Sequence, residues 1–127
     1  VKSSTPQPRR VTNGVDSARV AMLLAVLERR AGLRLSDMDV YVSTVGGVKL
    51  TEPASDLAIA LAIASAVQDK PIAHNLVAFG EISLAGEIRK VSNGKVRASE
   101  ANRLGFVRSV DSGVGDLRAA LSLGLNW

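Results

Sequence analysis

Two periods of apolar residues alternate along the chain and predict an α/β domain. Apolar side chains recur at helical spacing after Asp16, a good N-cap residue, and predict a helix over residues 17–31 that ends at Gly32. Residues 54–68 are apolar on nearly every side, which predicts a second helix that is buried. The remaining helical patterns are amphipathic and cover residues 95–104 and 116–123.

Runs of β-branched or alternating residues separate these helices and predict strands. The predicted strands cover residues 9–14, 37–45, 76–82, 86–91 and 106–110. The third and fourth form a hairpin around residues 83–85, and Gly46-Gly47 ends or bends the second. Pro53 suits the first turn of the buried helix. Helices that alternate with strands in this way favour a layered α/β architecture.

The length and composition are those of one globular domain. The chain has 127 residues, of which 46% are hydrophobic and 22% charged. Residues 1–8 are polar with two prolines and predict a linker before a domain over 9–127. The absence of cysteine excludes a thiol nucleophile, and the single histidine, His74, argues against a metal site or a serine-histidine triad. No apolar run reaches the roughly 18 residues of a membrane helix, so a cytoplasmic location is expected.

The charge favours contact with a polyanion. The net charge is +4 and the isoelectric point about 10.0. Only 3% of the residues are aromatic, and none of them lies within a basic cluster. Binding of single strands usually combines basic grooves with stacking rings. Any contact with nucleic acid is therefore expected at the phosphates, with little reading of bases.

One region carries the motifs of a peptidase site. The segment VGGVKLTEPASDLAIALAIAS is followed by the hairpin FGEISLAGEIRKVSNGK. This arrangement resembles the proteolytic domain of the Lon family and, more closely, the Lon-like C-terminal domain of the RadA (Sms) family of bacterial DNA-repair ATPases. The resemblance implies a two-layer α/β sandwich similar to the second domain of ribosomal protein S-five. It also implies a longer parent protein, in which ATP, Mg²⁺ and Zn²⁺ belong to other parts and no cofactor to this one.

The Lon family uses a serine at a helix start and a lysine just past the hairpin. A lysine in an apolar pocket loses part of its proton affinity and can accept the proton of a serine hydroxyl. Aligned with that pattern through Pro53, the chain has Ala54 at the serine position and Lys95 at the lysine position. In the alternative register, which loses the proline match, Ser55 is the nucleophile. The first register predicts a degenerate dyad without catalysis.

Three functions follow from the resemblance and the charge. The first is a non-proteolytic domain that supports a hexamer and contacts the DNA backbone during branch migration, beside the ATPase domain of the same chain. The second is an active peptidase that uses Ser55 and Lys95, and the third is a pure oligomerisation module. For the first function, the predicted DNA-binding residues are all basic: Arg9, Arg10, Arg89, Lys90, Lys95, Arg97 and Arg103.

Overall fold

The structure is a computed structural model, and it describes residues 1–4, 7–45, 49–50, 52–106 and 108–125. The helices within these residues are α1 (Ser17–Ala31), α2 (Asp56–Gln68), α3 (Gly94–Arg103) and α4 (Leu117–Leu125). The strands are β1 (Arg10–Asn13), β2 (Val40–Ser43), β3 (Leu76–Ala78), β4 (Glu81–Ile82), β5 (Ile88–Arg89) and β6 (Arg108–Val110). The predicted α/β class is confirmed.

The described strands pair two by two. Strand β1 is parallel to β2, β3 is parallel to β6, and β4 is antiparallel to β5. The sheet layer of the predicted sandwich is therefore divided into three short pairs. The predicted Gly46-Gly47 bend lies outside the described residues.

The core lies where α1, α2 and α4 meet. Each helix contributes leucines that are almost completely buried: Leu23, Leu27, Leu57, Leu61, Leu117 and Leu121. Helix α4 approaches α2 closely at Gly124, where a Cβ atom would lie 3.1 Å from Leu61 Cδ2. These contacts fix α2, and with it the segment that precedes α2, against the rest of the domain.

The first helix has the predicted bounds and caps. Asp16 Oδ1 accepts a hydrogen bond of 3.0 Å from the Ala18 N–H, and Gly32 ends the helix in the left-handed conformation. The second strand is shorter than the predicted 37–45. The backbone before it bonds instead to the start of the chain, since Ser3 N–H donates to the Asp37 carbonyl at 2.9 Å. Residues assigned to a linker thus contact the domain.

The predicted strand 76–82 is interrupted in the structure. It divides into β3 and β4 at Gly80, whose backbone bonds to the segment before α2 and to its first turn. Phe106 does not belong to the predicted strand 106–110, because its N–H bonds back to the Ala101 carbonyl of α3 at 2.9 Å. Strand β5 likewise covers only the middle of the predicted 86–91.

Helix α2 is not buried on every side. Its α-helical part begins at Asp56 after a 3-10 turn at Pro53–Ser55, and three alanines, Ala58, Ala62 and Ala66, are exposed. They line an apolar groove of about 950 Å³ between α2 and β2. The prediction of a fully buried helix is wrong for this face, because β2 does not extend over it.

Candidate functional site

The position predicted for the Lon-type nucleophile carries a buried methyl group. Ala54 lies in the 3-10 turn before α2 and is 7% exposed. Its carbonyl oxygen accepts a hydrogen bond of 2.9 Å from the Gly80 N–H, and the Gly80 carbonyl accepts one of 3.1 Å from the Leu57 N–H. The hairpin and the start of α2 are therefore joined by two backbone bonds around this position.

Gly80 is required by space. A Cβ atom at this position would lie 2.6 Å from Ile88 Cγ2, which is closer than two carbon atoms can approach. The absence of a side chain lets the two strands of the hairpin meet under the start of α2. The Gly-Glu-Ile motif of the sequence thus serves packing at the site.

Ser55 and Lys95 do not form a dyad in this structure. The Ser55 hydroxyl donates to the backbone carbonyl of Glu52 at 2.7 Å. Lys95 is exposed in the first turn of α3, with no hydrogen bond or ion pair to the described residues. The arrangement on which the alternative register depends, a hydroxyl directed at the lysine amine, is therefore absent from the described part of the chain.

Arg97 occupies the space in front of the α2 start. Its Nη2 atom lies 3.1 Å from Glu52 Oε2, and its Nε donates to the Ser92 carbonyl at 3.0 Å. Arg97 and Glu52 border a cleft of about 460 Å³ that Lys49 and Ser55 also line. Sequence reasoning assigned Arg97 to a DNA surface and missed its ionic partner, which is 45 residues away and carries no local signal.

A buried carboxylate lies directly below the site. Asp56 is 1% exposed and accepts hydrogen bonds from Arg19 and from the Ile82 N–H, the latter at 3.1 Å. Glu81 is 3.8 Å from the same guanidinium. The hydrogen bond that Arg19 donates to Asp56 raises the pKa of Arg19 above its ordinary value, although desolvation opposes this. The network joins α1, α2 and β4, and it was not predicted from the sequence, because Arg19 lies 37 residues from Asp56 and no local pattern links the two.

A family model identifies the chain. The model described as "ChlI: Subunit ChlI of Mg-chelatase" matches residues 18–110. The chain belongs to this family. The matched region runs from α1 to β6 and includes Ala54, Arg97 and the Asp56 network.

Curated relatives of the chain are named DNA repair protein RadA. That of Salmonella typhimurium is 52% identical over 108 residues, which is 85% of this chain and 24% of the relative. That of Mycolicibacterium smegmatis is 50% identical over 103 residues, 81% of this chain and 22% of the relative. That of Rickettsia felis is 47% identical over 112 residues, which is 88% of this chain and 25% of the relative. The predicted resemblance to RadA is confirmed, and the chain spans about a quarter of these relatives' length.

The predicted DNA-binding residues of this family member fall into two classes. Some are already engaged: the Arg10 guanidinium donates to the carbonyls of Leu35, at 2.9 Å, and Met38, and Arg103 pairs with Glu100 in its own helix. Others have no side-chain partner among the described residues: Arg9, Arg89, Lys90 and Lys95. Lys90 and Lys95 flank the turn between β5 and α3, and Arg9 directly precedes β1.

The described residues contain no group of three or more histidine or acidic side chains suited to a metal ion. None of the described helices is both long and apolar enough to span a membrane. The expected roles of ATP, Mg²⁺ and Zn²⁺ concern other parts of a longer protein and stay predictions, as does the cytoplasmic location.

Proposed function

We propose that this chain is a non-proteolytic Lon-like domain of a RadA-type DNA-repair ATPase, with two tasks. It contacts the DNA backbone without reading sequence, and it supports assembly of a hexameric ring. The observation that carries the proposal is the methyl group of Ala54 at the nucleophile position, in a domain whose relatives are named for DNA repair.

Loss of peptidase activity is supported by the separation of the candidate groups. Lon-type chemistry needs a hydroxyl and an unprotonated amine within hydrogen-bond reach. The Ser55 hydroxyl donates to the Glu52 carbonyl, and the Lys95 side chain is exposed to solvent and makes no hydrogen bond to the described residues. The expected result with a serine-directed fluorophosphonate probe is no labelling and no peptide cleavage, with an active Lon protease as positive control. Labelling of Ser55 that disappears on Lys95→Ala would refute this part.

The DNA contact is supported by cations whose side chains have no hydrogen-bond or ion-pair partner in the described part of the chain. Arg89, Lys90 and Lys95 are exposed and close in sequence around one turn, and such side chains bind phosphates by counterion release. Because few aromatic residues are present, binding is expected to depend on salt and not on base sequence.

Fluorescence anisotropy across a salt series tests this contact. Neutralising Lys90 or Lys95 to glutamine is expected to weaken binding and to reduce the slope of log affinity against log salt by about 0.7–0.9 per residue. Lys70→Gln is the matched control, since it removes the same charge at an exposed residue that follows the C-terminal end of α2 and lies outside the turn between β5 and α3. Equal effects at Lys70 and Lys95 would show that only net charge matters.

Assembly is supported by the apolar groove between α2 and β2. Its alanine floor and the exposed Tyr41 and Val45 form a surface that water solvates poorly and that a second copy can cover. The test is light scattering of wild type and of Ala62→Glu, which places a charge in the groove. Loss of assembly in the variant is expected, and unchanged assembly would exclude the groove as an interface.

The pure oligomerisation module is the second candidate, and the same groove favours it. The two candidates separate in one comparison. If the protein forms ring-sized assemblies but causes no change in the anisotropy of labelled DNA at low salt, the pure oligomerisation module is the only one of the two candidates that remains.

A further inference from the structure

The ion pair between Glu52 and Arg97 holds a cation close to the proposed DNA-contact surface. Arg97 is in the first turns of α3, two residues after Lys95, and its side chain is 34% exposed. Its guanidinium is fixed from one side by the Ser92 carbonyl and from the other by Glu52. The cation therefore has a defined position at the mouth of the cleft.

The two partners are held with different strength. The Glu52 side chain is 70% exposed and makes no other side-chain hydrogen bond among the described residues, so its carboxylate can rotate into solvent. Arg97 would keep its bond to Ser92 after such a rotation. Since exposed ion pairs contribute little free energy, a competing anion can replace Glu52 at low cost.

A second cation borders the same cleft. Lys49 is exposed, lines the cleft with Arg97, and has no ion-pair partner among the described residues. Two cations around one opening, one of them with a planar fork of donors, match the charge and geometry of a phosphate group. Glu52 is the acid that lines this opening.

We propose that the mouth of this cleft is a gated contact for one phosphate of the DNA backbone, held by Lys49 and Arg97, and that Glu52 competes with the phosphate for Arg97. The contact rests on the proposed function and adds to it a site and a means of control. When DNA binds, the phosphate displaces Glu52 from the Arg97 guanidinium. Additional negative charge near residue 52 would favour the pairing with Arg97 and so weaken phosphate binding.

The test is an anisotropy titration of labelled single-stranded and duplex DNA across a salt series. Glu52→Gln is expected to tighten binding about two- to five-fold, which corresponds to the free energy of one exposed ion pair, and to steepen the salt slope by about 0.7–0.9. The control is Glu87→Gln, which removes the same charge from an exposed side chain without an ion-pair partner among the described residues. It is expected to have a smaller effect.

The double variant decides whether the gain acts through Arg97. In the Arg97→Gln background, Glu52→Gln is expected to give no gain, and Lys49→Gln in the Glu52→Gln background is expected to remove part of it. An effect of Glu52→Gln equal to that of Glu87→Gln, or a gain that survives in Arg97→Gln, would overturn the gated contact. If neither wild type nor Glu52→Gln binds DNA, the DNA part of the proposed function fails as well. Binding by wild type that depends on Lys90 and Lys95 but not on Glu52 would refute the gate alone.

Discussion

The buried carboxylate of Asp56 gives the sharpest prediction about stability. The substitution Asp56→Asn keeps the shape of the side chain but removes its charge. In the wild-type protein this carboxylate accepts two hydrogen bonds from Arg19 and one from the Ile82 N–H, and it is 1% exposed. An asparagine oxygen in the Oδ2 position could still accept from the Ile82 N–H and from one N–H of Arg19. The asparagine NH₂ group would then face the Arg19 Nε donor, which now bonds to Oδ1, and the negative charge opposite the guanidinium would be lost.

The expected loss of stability lies between two limits. Removing one partner of a fully buried ion pair costs about 3–5 kcal/mol, and an exposed pair contributes about 0–1 kcal/mol. Here the acid is buried but the Arg19 side chain is 31% exposed, so water screens the cation that is left behind. We therefore expect a loss of about 2–3 kcal/mol. For a domain of this size that corresponds to a melting temperature lower by about 10 °C.

Urea denaturation of a double-mutant cycle measures the effect. The cycle compares wild type, Asp56→Asn, Arg19→Met and the double variant, and we expect a coupling free energy of about 1–2 kcal/mol. Glu100→Gln is the control, because its ion pair with Arg103 lies within one exposed helix and should not change the midpoint measurably. A cost below about 0.5 kcal/mol for Asp56→Asn, or additive single effects, would refute the reasoning.

Three further predictions concern packing and pH. Gly80→Ala should destabilise the domain by about 1–3 kcal/mol in urea denaturation, since its Cβ would collide with Ile88, and a neutral effect would contradict the close approach. Leu61→Ala should cost about 2–5 kcal/mol by the same measurement, because it opens a cavity between α2 and α4, and a smaller loss would mean that the two helices close together. The hydrogen bond from the Arg9 N–H lowers the pKa of Asp39 in the folded protein. The stability that this bond contributes is therefore complete above the pKa of an unfolded aspartate, about 4. It is lost as the pH falls through the lower pKa of Asp39 in the folded state. Carboxyl NMR should show this low pKa, and Asp39→Asn should weaken the dependence of stability on acid pH; an ordinary titration would exclude the bond.

Local patterns predicted most helices, and the reason is physical. The bounds of α1 follow from groups that are neighbours in sequence, an Asp16 cap and a Gly32 end. The same holds for Pro53 in the turn before α2. Strand ends were predicted less well, because they depend on partners that are distant in sequence. Gly80 is an example: it was predicted inside a strand, but its backbone N–H and carbonyl bond to Ala54 and Leu57.

The candidate site was predicted only in part. The family pattern predicts Ala54 as the nucleophile position from a contiguous motif and pairs it with Lys95 on spacing alone, and this pairing stays a prediction. The residue of α3 that lines the cleft is Arg97. Lys95 precedes it by two residues, which is a rotation of about 200° around the helix, so the two side chains leave α3 on different sides. Neither the Glu52 partner of Arg97 nor the Arg19 partner of Asp56 could be predicted, since each lies more than 35 residues away and no periodicity links them.

The two backbone bonds that Gly80 makes with Ala54 and Leu57 tie the hairpin to the start of α2. Because both bonds join main-chain groups, they do not depend on which side chain residue 54 carries. The side chains that line the neighbouring cleft can therefore be exchanged while the frame that holds them stays the same.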